Sequence, residues 1–492
     1  MKKTSLFLGL VFFFQLAFSQ QTPFTLNKLE YFERGAVNVM AFQDIYPEGH
    51  QGGVAVIMHG KRLATNGDIR LDETPGQWQP IPKQLDRKVD LAGGTVTVRL
   101  EYPDPAINRK GFNPIEYPDL EMSYTVRVAA RGESIIVTVD LDNPVPKEFI
   151  GKVGFNMELF PGLLFGKPWY LDNYSGIFPR QANGPALTDK KGDIVAARPM
   201  ATGKKLVVAP GDDKLRMAIE SKTGDLQLLD GRYVHNNGWF VVRSLVAEGA
   251  SKNAVEWIIT PNMVQGWKSD PVIHVSQIGY HPSQEKIAII EVDRNETKTD
   301  APVLVSLNGD GKSTALPPGK LVNWGVFLRY NNLKFDFTAV RQVGLYFIKY
   351  GNQQSQPFRI ASDVYKRNVW QPTLEYFLPV QMCHMRVNEK YRVWHGLCHM
   401  DDARMAPVSY NHFDGYIQGG STLTGFKPGE HIPGLNAGGW HDAGDYDLRV
   451  ESQSGEVYIL TMAYEAFGIN YYETYVEQVS HIVEIHQPDG KA

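Results

Sequence analysis

Between residues 20 and 268, short runs of alternating or continuous apolar residues recur: GGVAVIMHG, GTVTVRLEY, YTVRVAARG, SIIVTVDLD, WFVVRSLVA and AVEWIITP. They are rich in β-branched and aromatic side chains and are punctuated by Gly, Asn, Asp and Pro, the pattern of strands joined by turns. Strands in that number predict a large β-sandwich or a pair of them. A second β unit is expected over 271–361. PVIHVSQIGYHPSQEKIAIIEV reads as a strand, a turn at Gly279 and Pro282, and a second strand, and GLYFIKYGNQQSQPFRI supplies two more. Its size suits an immunoglobulin-like sandwich.

After Asp363 the period changes. VYKRNVWQPTLEYFLPVQM places apolar residues three and four apart with Asp363 ahead of them as an N-cap. SGEVYILTMAYEAFG repeats that spacing and ends on Gly468, and a third helix is expected over YVEQVSHIVEIH before Pro488. Residues 362–492 therefore read as all-α, and the chain as multidomain: β, β, then α.

Composition narrows the partners. A formal charge of -4, from 50 Lys+Arg against 54 Asp+Glu, lacks the basic surplus of a nucleic-acid binder. The opening MKKTSLFLGLVFFFQLAFSQQ sets two lysines before an apolar run ending in small residues, which reads as a bacterial signal peptide over 1–19. Export to the periplasm or the outside is expected, with no membrane anchor after cleavage. Aromatic residues make up 11% of the chain, which suits stacking on sugars, although cores absorb most aromatics. In GFNMELFPGLLFGKPWYLDN, Glu158, Trp169 and Tyr170 could line a sugar-binding face, but a buried inter-strand crossing is the commoner arrangement.

The densest chemistry lies in GGWHDAGDYDLR, residues 438–449. Asp442 and Asp445 stand three residues apart with only Ala and Gly between, so a tight turn can aim both carboxylates at one point. One can take a proton from water while the other holds the same water. Neighbouring carboxylates resist double ionisation, which lifts one toward a general base's working range. An ordinary acidic loop and a calcium-binding loop share this composition. Gly438 and Gly439 permit close backbone approach, Trp440 can pack beneath the site and Tyr446 can face a sugar.

GGWHDAGDY is similar to the signature of glycoside hydrolase family 9, and Gln277, Gly279, Tyr280 and Pro282 match the Gln-x-Gly-Tyr-x-Pro of the immunoglobulin-like domain that precedes the catalytic domain in many bacterial members. The resemblance covers about residues 271–492 and implies an (α/α)6 catalytic barrel beginning in 362–492, with inverting hydrolysis of β-1,4-linked glycans such as cellulose, cello-oligosaccharides or related β-glucan. It implies Asp445 as catalytic base and Asp442 as its water-holding partner. Inversion also needs a protonated carboxyl on the other side of the sugar, roughly 6.5–9.5 Å away. In the family this acid is a glutamate late in the barrel, and the residues after 361 are too few for all of a barrel's helices. No acid is assigned here, and the 492-residue chain alone is expected to be inactive. Glu451, Glu456 and Glu465 read as structural or solvent-facing. Asp447-Leu448-Arg449 departs from the small or basic residues usual after the signature, which puts plain cellulose in question as the substrate.

The two cysteines, Cys383 and Cys398, allow a disulfide in an exported protein, or, with His399 and a further histidine, a tetrahedral zinc site. Members of the family that carry the immunoglobulin-like domain commonly hold a structural zinc on Cys, Cys-His and His. The resemblance therefore points to Cys383, Cys398, His399 and His441, with His412, His395 and His384 as alternatives for the last. Trp394 is a candidate for contact with substrate, alongside His395 and Arg392, or for local packing. Residues 406–437 read as a long loop leading into the motif. The rival reading is a non-catalytic carbohydrate-binding or adhesion protein built on the two β units.

Overall fold

The computed structural model describes residues 22–43, 52–72, 82–102, 120–190, 192, 194–232, 239–366, 369, 386–387, 403–405, 425–434, 441, 450–467, 473–477 and 482–486. The chain divides into two compact units, with the boundary between Trp267 and Lys268.

The first unit is built on two nine-stranded antiparallel sheets. One runs, edge to edge, Thr25–Leu26, Phe32–Arg34, Val37–Ala41, Val54–Met58, Lys61–Leu71, Val153–Leu159, Phe240–Leu245, Leu226–Asp230 and Pro199–Gly203. The other runs Tyr174–Ile177, Pro168–Leu171, Lys205–Val208, Met217–Ser221, Val255–Pro261, Ser134–Leu141, Met122–Arg131, Thr95–Tyr102 and Lys83–Asp90. All six runs read as strands from their alternation are strands here. Their β-branched residues face inward: Val96 and Val98, Val126 and Val128, Val137 and Val139 are fully buried. Phe155 of the first sheet meets Trp257 of the second edge to face, with ring centroids 4.9 Å apart, inside one shared core. The hairpin between Met122–Arg131 and Ser134–Leu141 closes on two residues, and Gly132 takes φ +58° there, a conformation an L side chain resists. That turn sets Glu133 beside Arg34.

The second unit opens with an immunoglobulin-like pair of sheets. Val272–His274, Ile287–Asp293, Tyr330–Asp336 and Leu321–Phe327 form one. Ser313–Ala315, Val303–Leu307, Gly344–Tyr350 and Gln353–Gln354 form the other, with Phe358–Ile360 also paired to Gly344–Tyr350. The Gln-x-Gly-Tyr-x-Pro stretch is the hinge of this packing. Gly279 has φ +102°, and a Cβ there would sit 2.4 Å from the Arg359 carbonyl, so only glycine fits. Tyr280 packs edge-on against Phe337 and Phe358, accepts from the Ser276 N–H at 3.0 Å and donates to the Ile287 carbonyl at 3.3 Å. Lys286 is fully buried, and its ammonium donates to the carbonyls of Pro282 and Gln284, each at 2.9 Å. Loss of hydration lowers its pKa, and the two carbonyls replace part of the lost water.

Leu321–Phe327 ends its sheet among the described residues, and Val322, Trp324, Val326 and Phe327 on it are exposed.

Within 362–492 the described helix is Val450–Phe467, where helical spacing predicts one over 454–468. Val457, Tyr458, Ile459 and Leu460 are consecutive and all exposed, so its apolar residues lie all round the cylinder. One helix does not establish an (α/α)6 barrel. The helix expected over 364–382 falls almost wholly outside the described residues. At its start, Asp363 accepts from Arg359 at 2.8 Å, within a turn. The helix expected over 475–486 is corrected: Glu473–Glu477 and Ile482–His486 are antiparallel strands, with Val476 opposite Val483. Tyr475, Val476, Ile482, Val483 and Ile485 are β-branched or aromatic residues that favour an extended backbone, and in so short a run a spacing of three and four overlaps with alternation.

Candidate functional site

Of the residues singled out from the sequence, Asp442, Asp445, Trp440, Tyr446, Trp394, Cys383, Cys398 and His399 lie outside the described residues. His441 is described, and it is buried. Among the described residues no group of three or more His, Cys, Asp or Glu is placed to hold a metal. Glu456 is half-buried and Glu465 exposed on the Val450–Phe467 helix, in keeping with a structural or solvent-facing role.

The alternatives for Glu158, Trp169 and Tyr170 separate. Glu158 and Trp169 are buried, which removes them from any sugar-binding face, while Tyr170 is 51% exposed. On Val153–Leu159, Phe155, Met157 and Leu159 enter the core, whereas Asn156 and Glu158 stand opposite Asp68 and Thr65 of Lys61–Leu71. The result is a buried polar cluster. The Glu158 carboxylate accepts from the Asn66 amide. Asp68 accepts from the Ile69 N–H at 2.7 Å and from the Tyr124 hydroxyl, carried on the other sheet, at 3.0 Å. Burial raises the Asp68 pKa to about 6, overriding the opposing pull of Arg70. Burial also raises Glu158 against the opposing pull of Arg70 and the Asn66 hydrogen bond, and burial beside Asp68 pushes the Tyr124 hydroxyl well up. Among the described residues its partners are buried protein groups, and the Asp68–Tyr124 hydrogen bond ties the two sheets together.

A second concentration of polar groups opens to solvent. The register places Tyr170, Val207, Ala218 and Thr260 side by side across four strands of the second sheet, on the face opposite the buried Trp169, Leu206, Met217 and Ile259. Above Val207, Ala218 and Thr260 lies a hollow of about 480 Å³. The Arg34–Glu133 ion pair walls one side, with the guanidinium also bound to the carbonyls of Thr22 at 2.8 Å and Pro261 at 3.3 Å. Arg216 forms another wall, donating to the Asn262 amide oxygen at 3.0 Å and pairing with Asp213 at 2.9 Å. Lys205 and Gln265 complete the rim. Sequence reasoning missed this hollow; Tyr170, which it singled out, lies beside Val207 on the neighbouring strand and does not line it. Its parts lie far apart in the chain, and local alternation marks only which residues face outward.

Residues 268–355 match the family model of the cellulase N-terminal ig-like domain. Three solved structures are similar to parts of the chain. A metagenome-derived glycoside hydrolase family 9 endoglucanase is 23% identical over 40% of this chain and 34% of its own, with a TM-score of 0.31. A Bacteroides ovatus GH9 protein is 25% identical over 30% and 26%, with a TM-score of 0.22. A Zn-binding triple mutant of the family 9 endoglucanase J30 is 23% identical over 28% and 25%, with a TM-score of 0.21. The chain thus spans about a third or less of the length of these structures. No curated protein matches it.

Proposed function

We propose that this chain supplies the water-activating half of an inverting β-1,4-glycan hydrolase. The observation that carries the reading is the match of residues 268–355 to a domain that precedes cellulase catalytic regions, in a chain that continues into GGWHDAGDY. In this proposal Asp445 takes a proton from water as it attacks the anomeric carbon, and Asp442 fixes the same water through a second hydrogen bond. Trp440, Tyr446 and Trp394 present aromatic faces to sugar rings. No residue is assigned as the acid that protonates the leaving oxygen. Cellulose, cello-oligosaccharides and related β-glucan are the substrates proposed. The test is stereochemical: an enzyme containing this chain should release, from a β-1,4-glucan, a product whose first-formed anomer is α by NMR. A first-formed β anomer would overturn the mechanism.

Zinc is the metal proposed. Two thiolates and two imidazoles make the closed donor set that a structural zinc takes, and His441 is buried where a metal ligand would be shielded from water. Cys383, Cys398, His399 and His441 would hold it, fastening two upstream segments to the catalytic turn. Calcium on the acidic loop is the competing assignment. The purified chain is expected to carry about one zinc per molecule and to show two titratable thiols once the metal is stripped under denaturing, non-reducing conditions. Two blocked cysteines and no zinc would establish a disulfide instead.

The amino-terminal 1–19 is proposed to direct export, to the periplasm or beyond. Among the described residues no helix is long and apolar enough to cross a membrane.

A further inference from the structure

We infer that the hollow on the outer face of the first unit's second sheet is a binding site for a neutral oligosaccharide, so that this unit holds glycan apart from any catalytic turn. Three properties of the hollow select that ligand. Its floor is apolar at Val207 and Ala218 and continues across one strand to Tyr170, whose exposed ring lies on the same face. A pyranose needs such a surface for its C–H face.

Its walls carry polar groups already held in place. Arg34 and Arg216 are fixed by carbonyl, amide and carboxylate partners, and the Thr260 hydroxyl is bound to that of Ser134 at 2.7 Å. Groups fixed before binding lose little entropy when they meet sugar hydroxyls.

Two of the three cations that line it are ion-paired. Arg34 is paired with Glu133 and Arg216 with Asp213, while Lys205 stands across from Glu220, whose carboxyl is lowered first by its hydrogen bond to Lys222 and least by Lys205. Among the cations that line the hollow, a phosphorylated or uronic-acid ligand would meet only Lys205 outside these pairs. The volume of about 480 Å³ lies within the range of small-molecule sites. From the hollow, the row of side chains runs through Tyr170 to Ser175 on the edge strand Tyr174–Ile177, so a longer glycan can leave along the sheet.

The choice of a β-1,4-glucan as the oligosaccharide rests on the proposed function. The experiment is calorimetric titration of the 492-residue chain with soluble cello-oligosaccharide. Tyr170→Ala is expected to weaken binding about tenfold, the loss of most of one aromatic side chain's burial, and Tyr170→Phe to retain it. Asn262→Ala, which releases Arg216, is expected to weaken it as well. Tyr170 is on the surface, so its variants report on binding and not on folding. Unchanged binding in both alanine variants, or tighter binding of an oligogalacturonide than of the neutral sugar, would overturn the site. The two readings fail separately. Hydrolysis by a complete enzyme combined with binding indifferent to Tyr170 removes this site alone, whereas Tyr170-dependent binding without hydrolysis removes the hydrolase and leaves the site standing.

Discussion

An Asp445→Ala variant of a complete enzyme containing this chain is expected to lose about two to four orders of magnitude in kcat on β-glucan, with KM changed far less. The asymmetry follows from the role proposed. A base that acts on water gains its full interaction only as the proton moves, so its removal raises the barrier without loosening the resting complex. Asp442→Ala should cost less than Asp445→Ala, because a misplaced water can still be deprotonated. Asp445→Asn should resemble Asp445→Ala, since an amide keeps the shape but accepts no proton at neutral pH. Steady-state kinetics on a soluble β-glucan checks all three. Near-normal turnover in Asp445→Ala would remove the residue from the reaction.

Asp68→Asn is expected to stabilise the first unit by about 2–3 kcal/mol near pH 8 and to change it little near pH 4. The folded-state pKa of about 6 lies above a carboxylate's ordinary 3.8, so the native protein binds this proton more tightly than the unfolded chain does. The contribution of neutral Asp68 is therefore whole below about pH 4 and is lost as pH rises through about 6, when the protein must hold a buried negative charge. A shift of roughly two units, at about 1.4 kcal/mol each, sets the scale. Asparagine keeps an oxygen for the Tyr124 hydroxyl and the Ile69 N–H and has no charge to bury. Urea unfolding of wild type and variant, followed by tryptophan fluorescence across that range, gives the difference directly. Parallel pH profiles would show that Asp68 titrates normally.

Legibility tracked how local each feature is. The strands of the first unit could be read because every second residue must turn inward, and Val126, Val128, Val137 and Val139 show that rhythm without reference to any partner. The immunoglobulin-like hinge was marked by Gly279 and Tyr280, two adjacent residues whose roles are fixed by one turn. Alternation alone could not settle Glu158, because its burial depends on Asn66 and Thr65, which reach it only when two distant strands pair. The hollow beneath Arg34 and Arg216 was hidden for the same reason: sheet register gathers its walls. Residues 475–486 misled because a few β-branched residues fit two periods. Asp442 and Asp445 were conspicuous in the sequence because two carboxylates stand within a few residues of one another, and they fall outside the described part of the chain.

The Leu321–Phe327 strand has a practical consequence for anyone who cuts the protein into modules. Among the described residues it ends its sheet, with Trp324, Val326 and Phe327 exposed along it, the kind of edge on which a foreign strand adds most easily. An excised immunoglobulin-like module would be sticky for that reason alone, and charged residues at Val322 and Val326 are the first changes to make before it is concentrated for crystallisation or NMR.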